Sequence, residues 1–353
     1  MSRHSNPDNA DDVNAQQISA FMASKKLTWL LILQGWTMLW VVIGHAPLAE
    51  PAVYSSWLDI SAHRIACALF SFAYSFHMPL FIMISGYLFY RTRIVKGWKY
   101  LDMVKEKWLR LGIPYIFFIT IAIVIKFCIP GGVNRAVDVS PLGLVMNYLE
   151  PFNGALQEMW FVAVIFIYFL LYPLYRYLLK SRISMLCTLV VALGLFFIPV
   201  GKMTDFLAIN RAVHFFIFFF VGIVISKESL EQYIAKWSVI GVCAVGYVVS
   251  YMFNIEPVTP LFASIAFWGL ALKADRSLSD NLFHTFRNYT YQIFLIGIFA
   301  QIFVKVLSNM FQFPGSYPIW WLVCVLAGVY VPVFIARLGS KSGKKYIRYL
   351  IGV

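Results

Sequence analysis

The chain of 353 residues is 61% hydrophobic and 18% aromatic but only 13% charged, with a mean hydropathy of +0.74. That composition excludes an ordinary soluble domain and implies an integral membrane protein. The formal charge of +13 would suit a nucleic-acid binder, but the basic residues collect in alternate connections, as the positive-inside bias of membrane topology requires.

A membrane span needs about 20 mostly apolar residues. In chain order ten segments qualify: 29–48, 65–90, 113–129, 160–177, 183–200, 207–225, 237–254, 257–272, 289–308 and 317–337. The expected fold is all-α, a polytopic transmembrane helix bundle of about ten spans. Residues 1–24 are polar and read as a disordered cytoplasmic tail without a cleavable leader. Residues 25–340 form one expected transmembrane domain, and 341–353 a basic cytoplasmic tail. With ten spans both termini fall on one side, and 23 of the 29 Lys and Arg residues lie there, so both are predicted cytoplasmic. The other six are Arg64, Lys126, Arg135, Lys202, Arg211 and Lys305, in or beside outer segments or within spans. The five cysteines show no paired spacing, so neither a disulfide framework nor a metal site is expected.

Two predicted spans carry a histidine. His45 closes Trp40-Val-Val-Ile-Gly-His45, and His77 opens His77-Met-Pro79-Leu-Phe-Ile-Met-Ile-Ser85-Gly86. An ionisable side chain in hydrocarbon is costly unless it faces protein or a wet cavity, so both are candidate functional residues. At about 1.5 Å per residue His45 lies roughly 24 Å along span one and His77 roughly 18 Å down span two, which predicts a shared cavity in the outer half. Gln34, eleven residues before His45, falls on the same helical face. Pro79 removes a backbone donor beside His77 and should loosen the local ladder. The plainer alternative is that each histidine bridges two helices and that Ser85-Gly86 is a close-packing site.

Four blocks resemble the acyltransferase 3 family of integral membrane enzymes: Met38-Leu-Trp-Val-Val-Ile-Gly-His45, Phe76-His77-Met-Pro-Leu-Phe-Ile-Met-Ile-Ser85-Gly86-Tyr-Leu-Phe, Lys105-Glu-Lys107-Trp-Leu-Arg110-Leu-Gly-Ile-Pro114-Tyr115, and Met159-Trp160-Phe161. The resemblance covers residues 25–340. It implies transfer of an acyl group, expected to be acetyl, from acyl-CoA such as acetyl-CoA to a hydroxyl of a surface polysaccharide or lipid-linked glycan at the inner membrane. Two positions depart from the family. Gln34 stands where an arginine or lysine is usual, with Leu31 in place of an aspartate, and Gly297 ends a segment that often closes with histidine.

For that chemistry His45 is the expected base and His77 its partner, orienting the acceptor, donating to the oxyanion or carrying a second proton. Lys107 and Arg110, spaced i, i+3 before span three, suit the donor's phosphates on the cytoplasmic side, with Gln34 grouped with them. The alternative for the two cations is contact with lipid headgroups. Lys105, Arg91 and Arg93 are read as topological. Arg211, His214, Glu158, Trp160, Arg64 and Ser85 are the acceptor-site candidates. No permanent cofactor and no nucleic-acid partner are expected. Two other classes fit the same residues: a proton-coupled secondary transporter using the histidines as a relay, and a family member without catalysis.

Overall fold

The computed structural model describes residues 28–46, 60–128, 137–199, 203–277, 282–311, 316–341 and 344–352, and every regular element among them is helical. In chain order the helices are α1 (Thr28–His45), α2 (Ile60–Tyr74), α3 (His77–Phe89), α4 (Tyr100–Lys107), α5 (Ile113–Cys128), α6 (Pro141–Leu149), α7 (Trp160–Leu170), α8 (Tyr172–Leu178), α9 (Arg182–Phe196), α10 (Ile209–Lys227), α11 (Glu231–Ile234), α12 (Trp237–Met252), α13 (Val258–Ser277), α14 (Thr290–Met310), α15 (Tyr317–Lys341) and α16 (Lys345–Leu350). Wider π turns at Tyr90–Ile94 and Trp108–Gly112 follow α3 and α4. The tail expected over 1–24, and with it Arg135 and Lys202, lies outside the described residues.

Each of the ten apolar segments coincides with a helix or a helix pair. Six helices are long and apolar enough to cross a membrane: Thr28–His45, Cys67–Ile94, Tyr100–Cys128, Phe206–Lys227, Arg287–Ser308 and Tyr317–Lys341. A seventh crossing arises if Gln157–Leu170 and Tyr172–Leu178, which meet at 62°, form one broken span. Arg182–Phe196, Trp237–Met252 and Val258–Ala274 are apolar but shorter. The chain is thus a multi-pass membrane protein with six or seven candidate spans among the described residues.

The breaks have local causes. Segment 65–90 splits at Ser75 and Phe76 into α2 and α3. Pro79 accounts for the place, since it has no N–H to give the Ser75 carbonyl and its ring crowds that oxygen; within the first turn of α3 it costs nothing. Pro173 in the first turn of α8 marks the bend after α7. Ser140 and Ser181 accept backbone N–H groups from Gly143 at 3.0 Å and Ser184 at 3.1 Å, capping α6 and α9.

α1 occupies the middle of the bundle, against α2, α3, α13, α14 and α15. α3 and α10 meet backbone to backbone. A Cβ added at Gly86 would overlap the Phe219 carbonyl, and one at Gly222 would overlap the Met83 carbonyl. Without a hydrophobic drive between helices in lipid, such close approach supplies the packing. Tyr87, Phe89, Phe218, Phe219, Phe220 and Trp268 fill the surrounding core. α14 and α15 pair in the same manner: a Cβ at Gly297 would lie 2.8 Å from the Gly328 carbonyl oxygen. These contacts hold α3 against α10 and α14 against α15.

Candidate active site

α1 ends at His45 and α3 begins at His77, and the break between α2 and α3 brings the two rings to 6.1 Å between centroids, nearly perpendicular at 82°. His77 is 1% exposed, and its Nδ1 lies 2.5 Å from the Ala73 carbonyl at the end of α2. A carbonyl only accepts, so Nδ1 carries a proton, and in the corresponding neutral tautomer Nε2 is the acceptor. That Nε2 is buried without a hydrogen-bond partner among the described residues. His45 is likewise held at Nδ1, which is 3.3 Å from the Tyr74 hydroxyl and 3.8 Å from Glu158 Oε1. The Tyr74 ring packs edge-on against both histidines, 4.9 Å from His77 and 5.8 Å from His45.

A cavity of about 540 Å³ opens onto both imidazoles, and its wall also carries Tyr74, Glu158, Trp160, Arg211, His214 and Glu256. Arg211 lies with its guanidinium carbon 3.3 Å from the centre of the Phe152 ring and 5.2 Å from that of Trp160, an arrangement that holds the cation by its attraction to the ring faces. Its Nε is buried without a hydrogen-bond partner among the described residues. Trp160 stacks on Phe215 at 5.2 Å. His214 stacks on Phe196 at 4.0 Å and donates its Nδ1 proton to the Phe196 carbonyl at 3.0 Å. The cavity therefore offers proton acceptors, a fixed cation, carboxylates and flat aromatic walls within one space.

A second cavity, of about 310 Å³, sits at the opposite ends of α3 and α7 and is lined by Ser85, Arg93, Lys107, Arg110, Phe161 and Tyr291 among others. Glu106 draws three cations together: Arg93 at 3.1 Å, Lys107 at 3.4 Å and Arg110 at 3.6 Å. One carboxylate among three cations leaves a net positive charge of two. Arg93 and Lys107 are largely shielded, with side chains 11% and 12% exposed, whereas Arg110 reaches outward at 56%. Lys107 Nζ also lies 4.6 Å from the centre of the Phe169 ring. Both π turns border this cavity, one carrying Arg93 and the other Arg110; such widened turns recur at functional sites.

Six of the residues named from the sequence, His45, His77, Glu158, Trp160, Arg211 and His214, line the first cavity. Lys107 and Arg110 line the second, and Ser85, grouped with the acceptor candidates, lies there too, its hydroxyl donating to the Phe81 carbonyl at 2.9 Å. Arg64 is exposed at the start of α2 and lines neither cavity. Gln34 is half-buried and also lines neither. Beside it, a Cβ added at Gly35 would come within 3.1 Å of the Cβ of Arg287, a residue 7% exposed whose Nη1 donates to the Leu282 carbonyl at 2.9 Å. Gly297 sits where α14 touches α15, and it borders a pocket of about 20 Å³ beside His45 and Glu158. A histidine has no room there in this packing.

Tyr74, Glu256 and Arg93 were missed by sequence reasoning. Tyr74 is three residues before His77, a spacing that would have found it had the two stood on one helix. Glu256 lies in the short connection between two apolar segments, and the sequence holds no signal that the connection folds onto the histidines. Arg93 belongs to a basic run in which topological and ligand-facing cations look alike.

The model of the acyltransferase 3 family, described as an acyltransferase domain, matches residues 27–337. No curated protein and no solved structure matches the chain. With the matched stretch spanning α1 to α15 and enclosing both cavities, the chain belongs to the acyltransferase 3 family of membrane acyltransferases.

Proposed function

We propose that the protein is an inner-membrane O-acyltransferase that takes an acyl group, acetyl in the first instance, from acyl-CoA and places it on a hydroxyl of a surface polysaccharide or lipid-linked glycan. The observation that carries this is the pairing of His45 and His77 in one polar cavity, with a shielded cluster of cations at the opposite end of the same helices. In this account the chain crosses the membrane ten times with both termini cytoplasmic, so that the cation cluster faces the cytoplasmic pool of CoA thioesters. The alternation of Lys and Arg along the chain supports that orientation.

Arg93, Lys107 and Arg110 receive the donor's phosphates, the planar guanidinium groups each donating to two oxygens and Lys107 acting as a point charge. The acceptor enters the first cavity, where Trp160 and Phe152 hold Arg211 in place and Arg211, His214 and Glu256 offer polar contacts. Glu158 Oε1, 3.8 Å from His45 Nδ1, favours the proton on that nitrogen by its charge, which leaves Nε2 as the base. The acceptor hydroxyl loses its proton to His45 as its oxygen bonds to the thioester carbonyl carbon. The C–S bond then breaks, the CoA thiolate leaves with the proton, and the ester remains on the sugar. Tyr74 is the hydroxyl nearest this centre and supplies a donor to the developing oxyanion. His77, with a bare Nε2, serves as the second proton acceptor rather than as an oxyanion donor.

The test uses membranes from cells producing the full chain, supplied with labelled acetyl-CoA. Base-labile label in glycan that depends on the protein is the expected result. Membranes that move a solute with protons and need no acyl-CoA would instead identify a transporter.

A further inference from the structure

The two cavities are separated by aromatic rings from three helices. Phe161 of α7 lines the cation-bearing cavity and Phe294 of α14 lines the histidine cavity, and their rings lie 5.4 Å apart. Phe81 of α3, placed between His77 and Ser85, adds a third ring 6.2 Å from Phe161. Along α3 the eight steps from His77 to Ser85 span about 12 Å, so the partition is thin relative to a flexible thioester arm. Trp160 and Phe161 are consecutive on α7, and the helix turns one ring toward each cavity: Trp160 lines the first and Phe161 the second. The adjacent pair thus straddles the wall between them.

We propose that the contact between Phe161 and Phe294 is the passage by which the acyl thioester leaves the cation-bearing cavity and reaches His45, and that Phe161 sets the size of acyl group admitted. This rests on the proposed acyltransferase activity. The phosphates stay with Arg93, Lys107 and Arg110 while the acyl end crosses, and only the rings of the partition need turn aside. Small acyl groups pass at little cost, and longer ones meet Phe161 first. No bond changes during the crossing; the transfer itself follows as described, oxygen replacing sulfur on the carbonyl carbon. The partition also keeps water of the histidine cavity from the donor until the thioester is in place.

The experiment compares the full chain with Phe161→Trp, Phe294→Trp and Phe161→Ala in membranes, using acetyl-, butyryl- and hexanoyl-CoA. Transfer of label to endogenous glycan and the Kd for a non-reactive acetyl-CoA analogue are both read. Enlarging either ring should leave the Kd within about threefold yet slow acetyl transfer by about tenfold or more, while Phe161→Ala should raise the ratio of butyryl to acetyl transfer by about tenfold, the discrimination a methylene or two commands in an apolar slot. Retained analogue binding certifies folding, and the acyl-length ratio is insensitive to a merely structural role. Enlarged variants that bind and transfer like the wild type, with an unchanged acyl-length ratio, overturn the passage while leaving the activity standing. A wild-type chain that neither binds the analogue nor transfers label removes the proposed activity, and the passage with it.

Discussion

His77 is tied through Nδ1 to the carbonyl that closes α2, and His45 is tied through Nδ1 to a tyrosine and a carboxylate from elsewhere in the fold. The two imidazoles therefore have different surroundings although the sequence presents them alike. The cations at the other end behave as a group for a related reason. Glu106 compensates one charge of three, so each of Arg93 and Lys107 is held in a shielded place with positive charge to spare. Removing either should weaken donor binding without touching the transfer step. We expect Arg93→Gln and Lys107→Gln each to raise the KM for acyl-CoA by about tenfold with kcat changed less than twofold, the signature of lost uniform binding. The measurement is initial rate against acyl-CoA concentration. Equal loss in Arg91→Gln, whose side chain instead pairs with Glu231 at 3.5 Å, would show that the effect is only bulk surface charge.

At the scale of helices, glycine decides which elements touch. Gly86 and Gly222 let α3 and α10 meet at their backbones, and the neighbour of each missing side chain is a carbonyl that has no rotamer to escape into. Gly86→Ala should cost about 1–3 kcal/mol, as overpacking does, and move the first histidine cavity out of register with its partner helices. Thermal unfolding of the detergent-solubilised chain, followed by tryptophan fluorescence, checks this; an unchanged midpoint would mean that the helices separate without penalty. Much of this level was legible in the sequence. All ten apolar segments correspond to helices, because apolar length registers directly as a buried or lipid-facing helix. The breaks were less legible. The segment 65–90 reads as one span, but the cost of Pro79 falls four residues earlier, at Ser75. The role of Gly297 was not legible either, because a close approach to Gly328 depends on a helix that follows much later in the chain.

For the whole molecule, the sequence singled out six residues that line one cavity, and for the two histidines the reason is that an ionisable group in an apolar segment must point inward. It did not separate Ser85 from that space, because the two turns of helix between Ser85 and His77 border two different cavities only when α7 and α14 insert their rings. The proposed topology has its own check. Reporter domains fused to either end of the chain should both be active only in the cytoplasm; one end active outside would require an odd number of crossings. The central claim, that the His45 and His77 cavity is where the acyl group changes hands, is tested most directly by counting base-labile acyl esters on the surface glycans of cells carrying the wild-type chain, His45→Ala or His77→Ala, with protein level and acyl-CoA binding measured alongside. Loss of one general base typically costs about 10²–10⁴-fold. Esters falling to the level of cells lacking the protein, with binding and protein level intact, is the predicted result, and an ester content equal to wild type in the His45→Ala cells would contradict it.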